Sequence, residues 1–299
     1  MDISTLVSIK ALVPEDALSA SLLGTERQGH GARIREDGLI VTIGYVVHEA
    51  EQLWISSADG VTVPGFVVGY DFDSGLGLVK PSMPLEGPTI AFGSAHALRI
   101  GEQVVVAGSQ SSDVIDAKVV AKQEFAGRWE YLLDEAVFTA PHHESWSGAA
   151  LINDRGELCG IGSLVIQGFD LHGLRTTVNM FVPTELIEPI IDEVCEHGRR
   201  LSPPRPWLGM LVRDDQEKLM VEGVYPDCPA HKAGLRAGDV ILRVDDLPVD
   251  DLADMFRTIW SLGSAGVDIP MSILRDTRRL EKVVHSTDRV AFQRIGTVQ

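Results

Sequence analysis

The sequence is poor in cysteine, in positive charge and in long apolar runs. Its 299 residues include three cysteines, Cys159, Cys195 and Cys228, which lie far apart and form no CxxC pair. An odd and scattered set of this kind argues against both a disulfide framework and a zinc knuckle. We therefore predict that the three thiols are free and buried.

Positive charge is scarce: 26 lysines and arginines face 43 aspartates and glutamates, giving a formal net charge of −17. Phosphate backbones and anionic lipid surfaces repel such a chain, so we expect no nucleic-acid partner. No stretch of about 18 apolar residues occurs, which predicts that the protein does not insert into a membrane. The start, Met1 to Leu6, lacks a basic region followed by an apolar run, and we predict a cytoplasmic location.

A length of 299 residues favours two domains. Up to about residue 182, short β-branched segments such as Ala117 to Val120 and Glu130 to Leu133 alternate with Gly, Pro, Asp and Ser, a pattern typical of all-β barrels or sandwiches. The period then changes and predicts one amphipathic helix that begins at Thr184 and ends at Gly198. We assign residues 1–200 to the first domain and the proline-rich stretch 201–206 to a linker.

The remaining sequence mixes predicted strands with one helical stretch from Asp251 to Leu262. Met255 and Ile259 fall on the apolar face of this stretch, and Asp250 or Asp251 is the predicted N-cap. This combination indicates a small α+β domain at residues 207–290, followed by a C-terminal tail at 291–299.

A serine flanked by small residues lies near the middle of the chain, in Ser145-Trp146-Ser147-Gly148. This segment and four others resemble the HtrA/DegP-type serine proteases, in which a chymotrypsin-like double β-barrel precedes a PDZ domain. The five matching blocks are residues 38–69, 69–80, 92–108, 145–161 and 182 onward into the predicted helix. The resemblance implies a mainly β protein with a trypsin-like domain followed by a PDZ domain.

The resemblance also implies catalytic positions, and two of three are changed. The nucleophile position holds Ser147, but Tyr45 stands where the family has the general-base histidine and Gly75 where it has the aspartate. Tyrosine titrates near pH 10 and glycine has no side chain, so neither can activate a serine hydroxyl. The oxyanion-hole positions hold Ser145 and Trp146, and serine takes the positive φ of the family's glycine only at a cost.

Other side chains near these positions leave alternatives open. His48, His142 or His143 could replace the missing base if one of them lay within hydrogen-bonding reach of Ser147. His142, His143 and Glu144 could also be considered as metal ligands, but adjacent residues of an extended segment point to opposite faces. We predict no metal and no cofactor.

The C-terminal domain carries the stronger binding signal. The segment from Trp207 to Leu211 resembles the carboxylate-binding loop of PDZ domains, and residues 224–242 match the family's next conserved run. The resemblance implies partners that are peptide or protein C-termini with an apolar last residue, although the protein's own chain could instead occupy the groove. The predicted peptide-binding residues are Trp207, Leu208, Gly209, Met210, Leu211, Met255 and Ile259.

Three functions follow from this sequence. The first is a proteolytically inactive HtrA-like protein that binds C-termini through its PDZ domain as a scaffold, adaptor or chaperone-like factor. The second is an active serine endopeptidase that uses Ser147 with a non-standard base. The third is a non-catalytic subunit of an assembly with an active protease. The sequence leaves a homo-oligomer open.

Overall fold

The computed structural model describes residues 3–215 and 218–293, which form two compact units. The first unit contains the described residues up to Glu124 together with Leu133–Arg200. The second contains Phe125–Leu132 together with the described residues from Leu201 onward. The chain therefore enters the second unit twice, first for a short segment and then for the C-terminal domain.

Six antiparallel strands close the first barrel, in the order β1-β2-β3-β6-β5-β4. Apolar side chains of β1 such as Leu6, Val7 and Ile9 are buried, as the β-branched pattern predicts. The strands and short helices of this barrel are β1 Leu6–Leu12, α1 Ala20–Leu23, β2 Glu26–Arg33, β3 Ile40–Ile43, α2 Gly44–Val47, β4 Gln52–Ser57, β5 Thr62–Tyr70 and β6 Leu76–Pro81.

A second closed barrel follows, in the order β10-β11-β12-β9-β8-β7. Val106, Leu151 and Phe181 are fully buried within one of its core clusters. The predicted fold class, a mainly β protein with a trypsin-like double barrel, is confirmed. The strands of this barrel are β7 Gln103–Ala107, β8 Val114–Gly127, β9 Tyr131–Ala140, β10 Ala150–Ile152, β11 Leu158–Phe169 and β12 Arg175–Pro183.

The predicted helix from Thr184 to Gly198 is wrong in its first half. Two 3-10 turns, Thr184–Leu186 and Glu188–Ile190, precede a short helix α3 at Ile191–His197. Pro189 has no N–H to donate, which stops a continuous helix from passing through this segment. Gly198 ends α3 as predicted, in the left-handed conformation with φ 73°.

The second unit is an α+β domain built on an antiparallel sheet in the order β13-β14-β15-β17-β18. The N-cap of α5 is Asp251, whose carboxylate accepts the Asp254 N–H at 2.8 Å. The strands and helices are β13 Met210–Asp214, β14 Leu219–Val224, α4 Pro229–Lys232, β15 Val240–Val244, β16 Leu247–Pro248, α5 Leu252–Ser261, β17 Asp268–Arg275 and β18 Arg278–His285.

The prediction that a strand begins at Glu130 is also wrong. Strand β9 begins at Tyr131, and Glu130 lies in the turn that joins β8 to β9, with φ 60°. A positive φ of this size is left-handed backbone, which strands do not use. Glu130 therefore lies outside the alternation of inward and outward side chains along β9.

Two composition-based expectations can be compared with the structure. The three cysteines are free, as predicted; Cys159 and Cys228 are buried, whereas Cys195 is only half-buried. Among the residues that the structure describes, no helix combines the length and the apolar character that crossing a membrane requires.

Candidate active site and carboxylate-binding loop

Ser147 lies in the segment that leads from β9 to β10, on an open cleft of about 750 Å³ lined by both barrels. Its carbonyl accepts the His30 N–H at 2.8 Å, which fixes the serine turn against β2. The next residue, Gly148, has φ 75°, and a Cβ there would lie 2.0 Å from the His30 oxygen. Only glycine fits this position, because the nucleophile turn packs directly against the backbone of β2.

The Ser147 hydroxyl lies next to the Tyr45 phenol but has no base beside it. Its Oγ is buried and has no hydrogen-bond partner among the described residues. A serine oxygen becomes a useful nucleophile only when a neighbouring base accepts its proton. The oxygen at the nucleophile position therefore has no group to activate it.

Tyr45 lies in α2, and its side chain has a structural role. Its hydroxyl donates to the Ser163 carbonyl at 2.9 Å, at the point where the register between β11 and β12 shifts. Burial raises the pKa of Tyr45 to about 12, although the neighbouring hydroxyl of Ser147 acts in the opposite direction. The phenol therefore stays protonated near neutral pH and cannot act as a base.

Gly75 provides a backbone bend where the resemblance places an aspartate. It has φ 75°, and its carbonyl accepts the Gly44 N–H at 2.8 Å. Asp71, the nearby buried carboxylate of the same turn, is paired with the Arg200 guanidinium through two hydrogen bonds of 3.0 Å. Neither residue orients an imidazole at this site.

Two of the three histidines considered as replacement bases have other partners, and the third is exposed. The His143 Nδ1 accepts the Ser145 N–H at 3.1 Å, and the His48 ring packs against Tyr70 and Phe72 with centroid distances of 5.1 and 5.7 Å. His142 is exposed. Within the described part of the chain, no three His, Cys, Asp or Glu side chains are grouped to hold a metal ion.

The contact between Ser145 and His143 also affects the oxyanion hole. This hole needs backbone N–H groups of the nucleophile turn that point at the developing negative charge. The Ser145 N–H instead donates to an imidazole of the same chain. One of the two predicted donor positions, Ser145, is thus already used, whereas Trp146 lines the cleft as a half-buried side chain.

Sequence reasoning missed His30 as a residue of the cleft. It lies on β2, its Nδ1 accepts the Ser109 N–H at 3.1 Å, and burial lowers the pKa of its imidazole. The alternating strand pattern around His30 could have placed its side chain on one barrel face, but not next to the serine turn.

The second unit contains the predicted carboxylate-binding loop, and its N–H groups converge on one carboxylate. The Leu208, Gly209 and Met210 N–H groups donate to the Glu130 carboxylate at 2.9, 2.8 and 3.2 Å. Gly209 has φ 75°, and a Cβ there would lie 2.5 Å from the Cys228 Cβ, so this loop requires glycine. Sequence reasoning missed Glu130 as a partner of the loop.

The other predicted peptide-binding residues surround this loop. Trp207 is buried and its ring lies 6.1 Å from that of Tyr225. Leu208, Met210, Met255 and Ile259 belong to one buried apolar cluster of the second unit, and Leu211 is half-buried on β13. The structure thus brings the predicted loop and the predicted helix face together.

Two family profiles match the sequence. The trypsin-like peptidase domain matches residues 29–161 and the PDZ domain matches residues 206–285. A probable periplasmic serine endoprotease DegP-like of Halomonas elongata is 28% identical over 83% of this chain and 54% of its own length. The serine endoprotease DegS of Escherichia coli K12 is 26% identical over 84% of this chain and 74% of its own length.

The chain therefore contains a trypsin-like peptidase domain followed by a PDZ domain, and it is similar to the DegP-like and DegS serine endoproteases. It spans about half the length of the DegP-like relative. Solved structures agree on this fold. A serine endoprotease from Yersinia pestis has a TM-score of 0.56 at 24% identity, covering 95% of this chain and 94% of its own. The HtrA-type protease AlgW with tripeptide has a TM-score of 0.54 at 21% identity over the same shares.

The predicted cytoplasmic location is wrong. The DegP-like relatives from Halomonas elongata and Chlamydia pneumoniae are both named as periplasmic enzymes. The prediction relied only on the missing basic and apolar pattern in the first residues. The absence of this pattern does not indicate the compartment in which the protein is located.

Proposed function

We propose that this chain is an HtrA-type protein, that it is proteolytically inactive and that its double barrel serves as a scaffold. The observation that carries the proposal is the lack of a base at Ser147, whose Oγ is buried and makes no hydrogen bond to a histidine or a carboxylate among the described residues. Tyr45 cannot help, because its hydroxyl donates to Ser163. Loss of a triad as a unit costs on the order of a million-fold in turnover.

The second observation that supports inactivity is that one N–H group at the oxyanion-hole positions already donates a hydrogen bond within the chain. A weak nucleophile could still give slow turnover if the nucleophile turn stabilised the tetrahedral intermediate. The Ser145 N–H is engaged by His143, which removes one donor from that task. The two defects are independent, since one concerns proton transfer and the other concerns charge stabilisation.

Casein cleavage tests this proposal directly. We expect the wild-type protein and a Ser147→Ala control to release the same background level of peptide, with an active trypsin as the positive control for the assay. Cleavage by the wild-type protein that disappears in Ser147→Ala would overturn the proposal.

We further propose that the second unit binds the C-termini of peptides or proteins with an apolar last residue, as an adaptor or chaperone-like factor. The support is the loop of Leu208, Gly209 and Met210, whose N–H groups are arranged around a carboxylate. Strand β13 lies at an edge of its sheet, where an extended peptide can be added.

Matched peptides test the binding role. Peptides with a free α-carboxylate and an apolar last residue should bind, and the same peptides with a C-terminal amide should not. Equal binding of both forms would contradict recognition through the loop. We also propose an extracytoplasmic location, on the strength of the relatives that are named as periplasmic.

A further inference from the structure

The carboxylate-binding loop is already filled in this structure, and the occupant is part of the chain. The occupying segment, which we call the internal ligand, is Phe125–Leu132, the turn between β8 and β9 that belongs to the second unit. Both carboxylate oxygens of Glu130 accept from the loop, with Gly209 at 2.8 Å as its shortest contact. Three backbone donors on one carboxylate form an anion site.

The internal ligand also takes the peptide's place along the strand edge. The Val212 N–H of β13 donates to the Arg128 carbonyl at 3.0 Å. Arg128 lies two residues before Glu130, so one segment meets both the strand and the loop, which is the arrangement of an added β-strand that ends in a carboxylate. The Arg128 side chain adds an ion pair with Glu222 of β14 at 2.8 Å.

Apolar contacts complete the match. Leu132 is 8% exposed and belongs to the same apolar cluster as Leu208, Met210 and Ile259, and Ala126 packs against that cluster. These are the residues that would receive the last side chain of a bound peptide. Gly127 lets the turn close tightly, because a Cβ there would lie 2.9 Å from the Trp129 ring.

We propose that Phe125–Leu132 is an internal ligand of the PDZ unit, with the Glu130 side-chain carboxylate standing in for the C-terminal carboxylate of a partner. This inference rests on the proposed peptide-binding role. A partner must then displace the internal ligand before it can bind, and its apparent dissociation constant equals the intrinsic constant divided by the fraction of molecules in which the groove is open.

Hydrogen exchange in the unmodified protein gives the first test. With the internal ligand bound, the Leu208, Gly209 and Met210 amides should exchange slowly without any added peptide. Fast exchange of all three amides in the wild-type protein would overturn the inference. This measurement requires no variant, so it stands even if a substitution at position 130 impairs folding.

Binding of a designed probe gives the second test. The probe is a fluorescein-labelled pentapeptide, Ala-Gly-Arg-Trp-Leu, which repeats residues 126–129 and ends in an apolar residue with a free α-carboxylate. Glu130→Ala should bind it about tenfold more tightly than the wild type, because the competing carboxylate is gone. The control Glu51→Ala removes an exposed glutamate of the first unit and should bind as the wild type does.

The outcomes separate this inference from the peptide-binding role. Equal affinity of the wild type and Glu130→Ala for the probe overturns the internal ligand and leaves the peptide-binding role intact. If the three loop amides are protected in the wild type and exposed in Glu130→Ala, but neither protein binds the probe, then the internal ligand is supported and the peptide-binding role fails.

Discussion

At the scale of single residues, Tyr45 and Glu130 each satisfy backbone groups that are far away in sequence. The Tyr45 hydroxyl serves a carbonyl at a β-bulge, 118 positions along the chain. The Glu130 carboxylate serves N–H groups about 78 positions along. Buried polar groups need such partners, so both side chains stabilise the structure in which they are found.

Removal of the Tyr45 hydroxyl tests its structural role. Tyr45→Phe keeps the ring but leaves the Ser163 carbonyl without this donor, and we expect a loss of about 1–2 kcal/mol in the free energy of unfolding. Urea denaturation of the wild type and the variant measures the difference. An unchanged unfolding free energy would show that water replaces the hydroxyl without cost.

The protonation of Glu130 predicts a pH dependence of the internal ligand. Burial raises the pKa of Glu130 to about 7 from an ordinary value of 4.5, outweighing the loop amides and the positive charge of Arg289. Between pH 4.5 and about 7, the Glu130 carboxyl therefore holds a proton when the segment is bound and has lost it when the segment is released. Its stabilisation is complete below pH 4.5 and is lost as the pH rises through about 7.

Loop-amide exchange at several pH values checks this dependence. Opening of the loop, corrected for the intrinsic effect of pH on exchange, should increase between pH 5 and 8. The Cys228 thiol, whose pKa is raised to about 11, keeps one state over this range. Glu130→Gln cannot titrate at this position and should show a flat response; a response as steep as that of the wild type would assign the effect to another group.

At the scale of elements, the local patterns of the sequence predicted much of the fold. Alternating apolar residues indicated the barrel strands, and Asp251 was correctly included among the N-cap candidates of α5. The helix after Thr184 was predicted too long, because the prediction relied on the helical spacing of its apolar residues and did not consider that Pro189 interrupts a helix. The partners of Tyr45 and Glu130 could not be predicted, because hydrogen bonds between residues that only tertiary packing brings together leave no periodic signal in the sequence.

The carboxylate-binding loop gives a prediction at this scale. Gly209→Ala should destabilise the second unit by about 1–3 kcal/mol, since φ 75° is strained for alanine and the new Cβ meets Cys228. Gly223→Ala on β14 is the matched control, because its nearest neighbour would be 3.9 Å away. Denaturation followed by tryptophan fluorescence compares the two variants, and equal effects would contradict the steric argument.

At the scale of the whole molecule, a double barrel whose Ser147 has no base beside it is joined in one chain to a PDZ domain. Restoring only the two family residues, by Tyr45→His with Gly75→Asp, should give at most partial activity. Gly75 has φ 75°, which an aspartate takes only at a cost, and the Ser145 N–H is already engaged by His143. Casein cleavage by the double variant measures the recovery, and full family-like activity would contradict the account.

The most direct test of the central claim is covalent labelling of the wild-type protein with a fluorophosphonate probe. Such probes report a serine whose hydroxyl is activated by a neighbouring base. With Oγ of Ser147 buried and lacking a partner among the described residues, we predict no labelling above that of Ser147→Ala. Stoichiometric labelling of the wild type that is lost in Ser147→Ala would contradict an inactive barrel.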